Sequence, residues 1–229
     1  GILSAMAVFS YLYSARSVSF LHALPMRREG LFLTNYVSGL AFLLLPNGVV
    51  FLLSLAIEAG FGVVEFSSLF TWLVVTSLYC LFFYSFAVFC AMFTGHILAL
   101  PAFYVILNFL VAWLTFLLRD MASRFLFGFT GATWLEDLAV WLTPMVFVAT
   151  HTGISYGDRG DESACFTGLG YVALLALVGL MLAALALVVY RRRQLESAGD
   201  VVSVGWVRPV FKYGVAFCCA ITLGNFFYS

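Results

Sequence analysis

An all-α fold, a polytopic bundle of transmembrane helices, is predicted by three observations on the sequence. Of 229 residues, 64% are hydrophobic and only 10% charged, with a mean hydropathy of +1.07. A soluble domain is about 45–50% apolar and about 25% charged, so one globular core cannot hide this much apolar surface. The apolar residues also fall in uncharged runs long enough to cross a ~30 Å hydrocarbon layer. Finally, eleven Lys and Arg balance eleven Asp and Glu, which leaves no basic footprint for nucleic acid. Together these exclude a soluble enzyme, a secreted disulfide scaffold and a disordered chain.

The first apolar stretch, within residues 1–14, is shorter than the ~20 residues a span requires. It lacks the basic flank and cleavage site of a signal peptide, and reads as the tail of a truncated helix in a fragment of a larger protein. Five runs can span: 31–57, 69–93, 97–118, 171–190 and 210–227. The first contains Pro46 at its middle and exceeds the bilayer at ~1.5 Å per residue, which predicts a tilt or kink. Only Thr94, Gly95 and His96 separate the second and third, which predicts a tight helical hairpin. Lys212 lies near the start of the last run, from where it can snorkel.

Residues 138–157 are uncharged too, but contain Pro144, His151 and Gly153. If this stretch dips and returns, Arg16, Arg27, Arg28, Arg191, Arg192, Arg193, Arg208 and Lys212 share one side, against Arg119, Arg124 and Arg159. If it crosses, the three-arginine cluster falls outside. The positive-inside rule favours the dip. The map is then a cytoplasmic segment 15–30, an external loop 58–68, a cytoplasmic turn 94–96, an external re-entrant region 119–170 and a cytoplasmic loop 191–209.

In the first cytoplasmic segment, Val18, Leu21 and Leu24, or Phe20 and Leu24, recur at helical spacing between Arg16, Ser17 and Ser19. Pro25 ends the turn, and Arg27-Arg28-Glu29 leads into the next span. A short amphipathic helix followed by a basic corner suits either a cytoplasmic partner or an interfacial role that sets topology.

The segment Leu24-Pro25-Met26-Arg27-Arg28-Glu29 resembles a corner of bacterial ABC-2-type transporter permeases. Tyr190-Arg191-Arg192-Arg193-Gln194-Leu195-Glu196, with Arg208-Pro209 beyond it, is similar to a stretch in a Gram-positive subgroup of them. The dip before the last family helix fits the same layout, whereas the chain continues past Tyr190, where a six-helix permease would end. The resemblance implies the permease subunit of an ATP-driven exporter in a bacterial plasma membrane, with an unidentified substrate. Phe20, Leu21, Leu24, Pro25, Arg27, Arg28 and Glu29 would contact a separate ABC ATPase subunit, which would hold ATP and Mg. A second permease, identical or homologous, would complete the path. The chain itself has no P-loop, so it would bind no cofactor and would not be an enzyme. The alternative is a non-transporting polytopic protein with a structural or regulatory partner-binding role.

Other residues carry weaker signals. Asn35, Asn47, Asn108 and Asn225 fall within the spans, where amides are expected to bond across to other helices. Asn108, at mid-span, is a candidate path-lining residue. Gly39, Gly95, Gly179 and the Ala183-Ala184 pair permit close helix approach. The aromatic stretch 124–149 suits two short helices at the outer leaflet, as a belt or a gate. The Arg-Gly-Asp triplet at 159–161 sits in a polar turn and is too short to argue adhesion. His22, His96 and His151 have no ligand spacing, and the five cysteines form no Cys-x-x-Cys.

Overall fold

The computed structural model describes residues 1–14, 17, 27–62, 65–127, 133–156, 164–192 and 207–228. Helix α1 (Ile2–Val8) is followed by a 3-10 turn at Ser10–Tyr13, then α2 (Arg28–Phe61), α3 (Phe66–Phe93), α4 (Ala99–Phe125), α5 (Thr133–Leu142) and α6 (Pro144–His151). A two-stranded hairpin, β1 (Gly153–Tyr156) and β2 (Ala164–Thr167), leads to α7 (Leu169–Arg192) and α8 (Val207–Tyr228). Four helices, α2, α3, α4 and α7, are long and apolar enough to cross a membrane. In α8 the apolar stretch is shorter, Lys212–Gly224.

The long helices outrun the uncharged sequence at their ends. Helix α2 has 34 residues, about 50 Å of helix. It continues through Pro46, although the missing N–H leaves the Phe42 carbonyl without its helical partner. It stops at Gly62, whose left-handed φ of 72° returns the cap N–H to Ala59 and Glu58 carbonyls. The Glu58 carboxylate accepts the Glu65 N–H at 3.1 Å, and Ser68 Oγ donates to Glu65 at 3.2 Å. Both glutamates thus build the α2–α3 turn. Helix α4 runs past the predicted limit of 118 because its charges find partners: Arg124 pairs with Asp120 one turn earlier, and Arg119 reaches Glu136 of α5.

Helix α3 is the axis. Its second half is buried at nearly every position from Phe82 to Phe93, because α1, α2, α4 and α7 all pack on it. The closest partner is α7. A Cβ on Gly179 would lie 2.9 Å from the Phe82 Cα, so only glycine permits this crossing. Ala87 and Ala91 of α3 and Ala186 of α7 are fully buried, the small-residue seam expected where lipid supplies no hydrophobic drive for helix association. Of the predicted close-approach residues, Gly39 lies at the α2–α3 contact, beneath the Tyr84 ring, whereas Ala184 is exposed.

Two apolar clusters adjoin along α3, with Phe83 and Leu182 packed against both. One joins Phe9, Leu12, Phe32, Tyr36, Tyr84, Phe93, Phe103 and Tyr190; the other centres on Phe82, Phe147 and Leu175. The residues between α3 and α4 are the turn 94–98, slightly longer than the three-residue separation predicted. The N-terminal helix is shorter than predicted, since α1 yields at Phe9 to the 3-10 turn. The stretch 138–157, predicted as a dip, holds the end of α5, all of α6 and β1, with α5 and α6 separated at Thr143 because Pro144 can begin a helix but not continue one. The hairpin after it was not foreseen. It pairs Gly153 with Thr167 and Ser155 with Cys165, antiparallel.

The α3–α7 crossing yields a paired prediction. Gly179→Leu forces a side chain against the Phe82 backbone and should lower unfolding stability in detergent by about 1–3 kcal/mol. Gly48→Ala, which meets open space, should leave stability within about 1 kcal/mol of the wild type or raise it.

Candidate functional site

The chain carries its polar chemistry at three levels. At one end, α2 begins and α7 finishes side by side. Phe32 and Tyr190 pack ring to ring at 5.5 Å, and Tyr11 donates to the Tyr190 hydroxyl at 3.3 Å. Above this floor Glu29, in the first turn of α2, forms an ion pair with Arg191, in the last turn of α7. Arg27, Arg28 and Arg192 are exposed beside it. The α3–α4 turn belongs to the same end, since the Tyr13 and Thr94 hydroxyls lie 3.5 Å apart. The three predicted cytoplasmic segments therefore meet at one end through their described residues.

Of the predicted contact residues, Arg27, Arg28 and Glu29 are described and exposed. Phe20, Leu21, Leu24 and Pro25 lie outside the described residues, as does most of the loop 193–206. His22 and the Arg-Gly-Asp triplet lie outside them too. Arg191 as the partner of Glu29 was not singled out from the sequence. The signal was there: an acid opens one span and a base closes another, so antiparallel neighbours can pair them.

In the middle level, buried polar side chains line the helix contacts. Tyr36 of α2 and Ser85 of α3 share a 2.7 Å hydrogen bond, and Ser4 Oγ donates to the Gly39 carbonyl at 2.9 Å. Asn47 Nδ2 donates to Cys80 Sγ at 3.5 Å, which meets the expectation of an amide bonding across helices. Asn108 does not meet it. It is only 1% exposed, and neither its Nδ2 nor its Oδ1 makes a hydrogen bond. Tyr104, one turn earlier on the same helix, is its near polar neighbour. The Tyr84 hydroxyl and Thr143 Oγ1 are likewise buried and unbonded.

At the far end, α6 is clamped. Phe147 is buried beneath Phe82 and Leu175. The His151 ring lies among Phe147 at 4.5 Å, Tyr171 at 4.8 Å and Trp141 at 5.3 Å. Its Nδ1 is 2.9 Å from Thr150 Oγ1 and 3.2 Å from the Phe147 carbonyl. Tyr79 of α3 donates to Thr152 Oγ1 at 2.9 Å. Gly168, at φ +99°, brings the start of α7 against the His151 carbonyl, where a Cβ would collide. His151 is thus a packed ring, and the aromatic residues 141 and 147 act here as a clamp on the short helices. His96 accepts the Leu98 N–H at 3.2 Å and shapes the α3–α4 turn.

Among the described residues no group of three His, Cys, Asp or Glu could hold a metal. Cys80, Cys90, Cys165, Cys218 and Cys219 are free thiols. Fold and site together define a helical protein with four membrane-spanning candidates, polar seams between them and an arginine-rich corner at one end. No protein-family model, curated protein or solved structure matches the chain.

Two outcomes are expected here. Asn108→Leu removes a buried amide without a bonded partner, so the variant should be at least as stable as wild type, by up to about 1–3 kcal/mol. A clear loss on detergent unfolding would show that the amide is bonded in the membrane. Separately, a double-mutant cycle of Tyr79→Phe with Thr152→Val should give a coupling of about 1 kcal/mol.

Proposed function

We propose that this chain is the permease subunit of an ATP-driven transporter of the ABC-2 type, an exporter of the bacterial plasma membrane. The observation that carries the reading is the corner at Arg27, Arg28 and Glu29. The sequence of this corner resembles the family's ATPase-contacting loop, and Glu29 meets Arg191, in the last turn of α7, in an exposed ion pair. A coupling segment must adjoin the helices it moves, and this ion pair places the start of α2 beside the end of α7. The break at Thr143 and Pro144, which divides α5 from α6, supports the re-entrant element of the same layout.

In this reading, Phe20, Leu21, Leu24 and Pro25 complete the contact with a separate ABC ATPase, which binds ATP and Mg. A second permease, identical or homologous, closes the path. ATP binding on the partner favours one arrangement of the coupling segment, and the spans follow because that arrangement has its own affinity for substrate. Asn108, buried and unbonded in the present arrangement, is the polar group with most to gain when helices separate. It is the residue placed on the path.

The test is a mild-detergent pull-down of the full-length protein from its native membrane, with mass spectrometry of what accompanies it. A stoichiometric P-loop ATPase is expected, and Arg27→Glu with Arg28→Glu should cut its recovery at least severalfold. Absence of any ATPase after cross-linking would leave the non-transporting, partner-binding reading in its place.

A further inference from the structure

Helix α2 is built as two unlike halves. Before Pro46 it carries all of its buried residues, Phe32, Tyr36 and Gly39. Three elements grip it there. Ser4 of α1 donates to the Gly39 carbonyl, Tyr36 bonds Ser85 of α3, and Phe32 and Glu29 meet Tyr190 and Arg191 of α7. After Pro46 no residue of α2 is buried. Asn47, Phe51 and Glu58 of this outer half meet Cys80, Phe66 and Glu65, which belong to α3 and its N-cap. The boundary between the halves is Pro46-Asn47-Gly48. Pro46 removes one N–H from the helical ladder and leaves the Phe42 carbonyl without its partner. Gly48 does not serve close packing, because a Cβ there would meet nothing within 4 Å, in contrast to Gly39 and Gly179. What it brings is backbone freedom, at the expense of helix stiffness. Proline and flexible small residues are the common causes of a helix bend. Between the two, Asn47 Nδ2 donates to Cys80 Sγ at 3.5 Å, and sulfur is a weak acceptor.

We propose that Pro46-Asn47-Gly48 is a hinge, about which the outer half of α2 swings away from α3 while the inner half stays in place. The Asn47–Cys80 hydrogen bond is the latch that holds the straight form, the form of this structure. Swinging breaks one weak bond across the helices and draws no buried α2 side chain out of its packing. The two forms therefore lie close enough in free energy for both to be populated. The proposal does not rest on the transporter reading.

The test is double electron–electron resonance on the full-length chain in lipid nanodiscs. Nitroxides are attached through p-acetylphenylalanine, which leaves Cys80 and the other cysteines in place. One pair, at Phe61 and Phe116, spans the outer half of α2 and α4; both positions are exposed. The reference pair, at Leu33 and Phe116, reports on the inner half. Wild type should show two distances for the outer pair. Pro46→Ala, which restores the ladder bond to the Phe42 carbonyl, should leave one. Asn47→Leu should raise the population of the second distance about threefold, as loss of one weak hydrogen bond implies. The reference pair should give one unchanged distance in wild type and both variants, which also shows that each variant folds. A single outer distance in wild type that matches Pro46→Ala, or equal changes in the two pairs, would overturn the hinge. An outer distribution unmoved by Asn47→Leu would overturn the latch.

Discussion

The structure depends on how closely α3 and α7 approach. In a bilayer the apolar faces of helices gain nothing by leaving lipid for one another, so association rests on close backbone packing and on hydrogen bonds between helices. Gly179 provides the first by placing α7 directly on the α3 backbone at Phe82. Once α3 is fixed to α7, α2 is held against the pair through Phe32, Tyr36 and the Tyr36–Ser85 bond. Helix α4 is held through Tyr104 and Phe103 against Phe86 and Phe93. The outer faces of α2, α4 and α7 carry Phe42, Leu52, Phe116 and Leu177 outward, as lipid-facing surfaces require.

Polar groups obey a second constraint. An unbonded polar atom in hydrocarbon costs several kcal/mol, and most of those inside this bundle are bonded to a neighbouring helix or to their own backbone. Ser85 and Thr152, for example, return their hydroxyls to the carbonyl four residues earlier. The described charges are drawn to the helix ends. Against this background the unbonded Asn108, Tyr84 and Thr143 stand out as three places where the present arrangement is not optimal for the sequence. They lie on α4, on α3 and at the α5–α6 break.

The sequence made the spans legible because hydrophobicity and the absence of charge act over some twenty residues at once. Runs 31–57, 69–93, 97–118 and 171–190 each lie within, or within two residues of, a helix long and apolar enough to cross a membrane. Their limits were less legible, since capping and ion pairs decide them: Gly62 and Glu58 extend one end, Arg124 and Asp120 another. The break at Pro144 was readable from local stereochemistry. The hairpin at 153–156 and 164–167 was not, because strands of four residues carry almost no periodic signal. At the candidate site the individual residues Arg27, Arg28, Glu29 and Asn108 were legible as charges or amides in an apolar chain. Their partners were not, because the pairing of residue 29 with 191, or of 79 with 152, is a consequence of the packed fold.

One helix connects everything the chain arranges at its two ends. Helix α7 begins at Gly168 against the His151 carbonyl, inside the aromatic clamp of Trp141, Phe147 and Tyr171. It finishes at Arg191, paired with Glu29. Between them it crosses α3 at Gly179, where there is no side chain to bend out of the way. A packed helix of 24 residues shifts or tilts as a unit more readily than it stretches, and cores of this density repack between discrete arrangements rather than deform smoothly. Helix α7 thus joins the arginine corner to the clamp on α6 as one continuous packed element that crosses α3 at Gly179. That crossing is a contact that a single methyl group would obstruct.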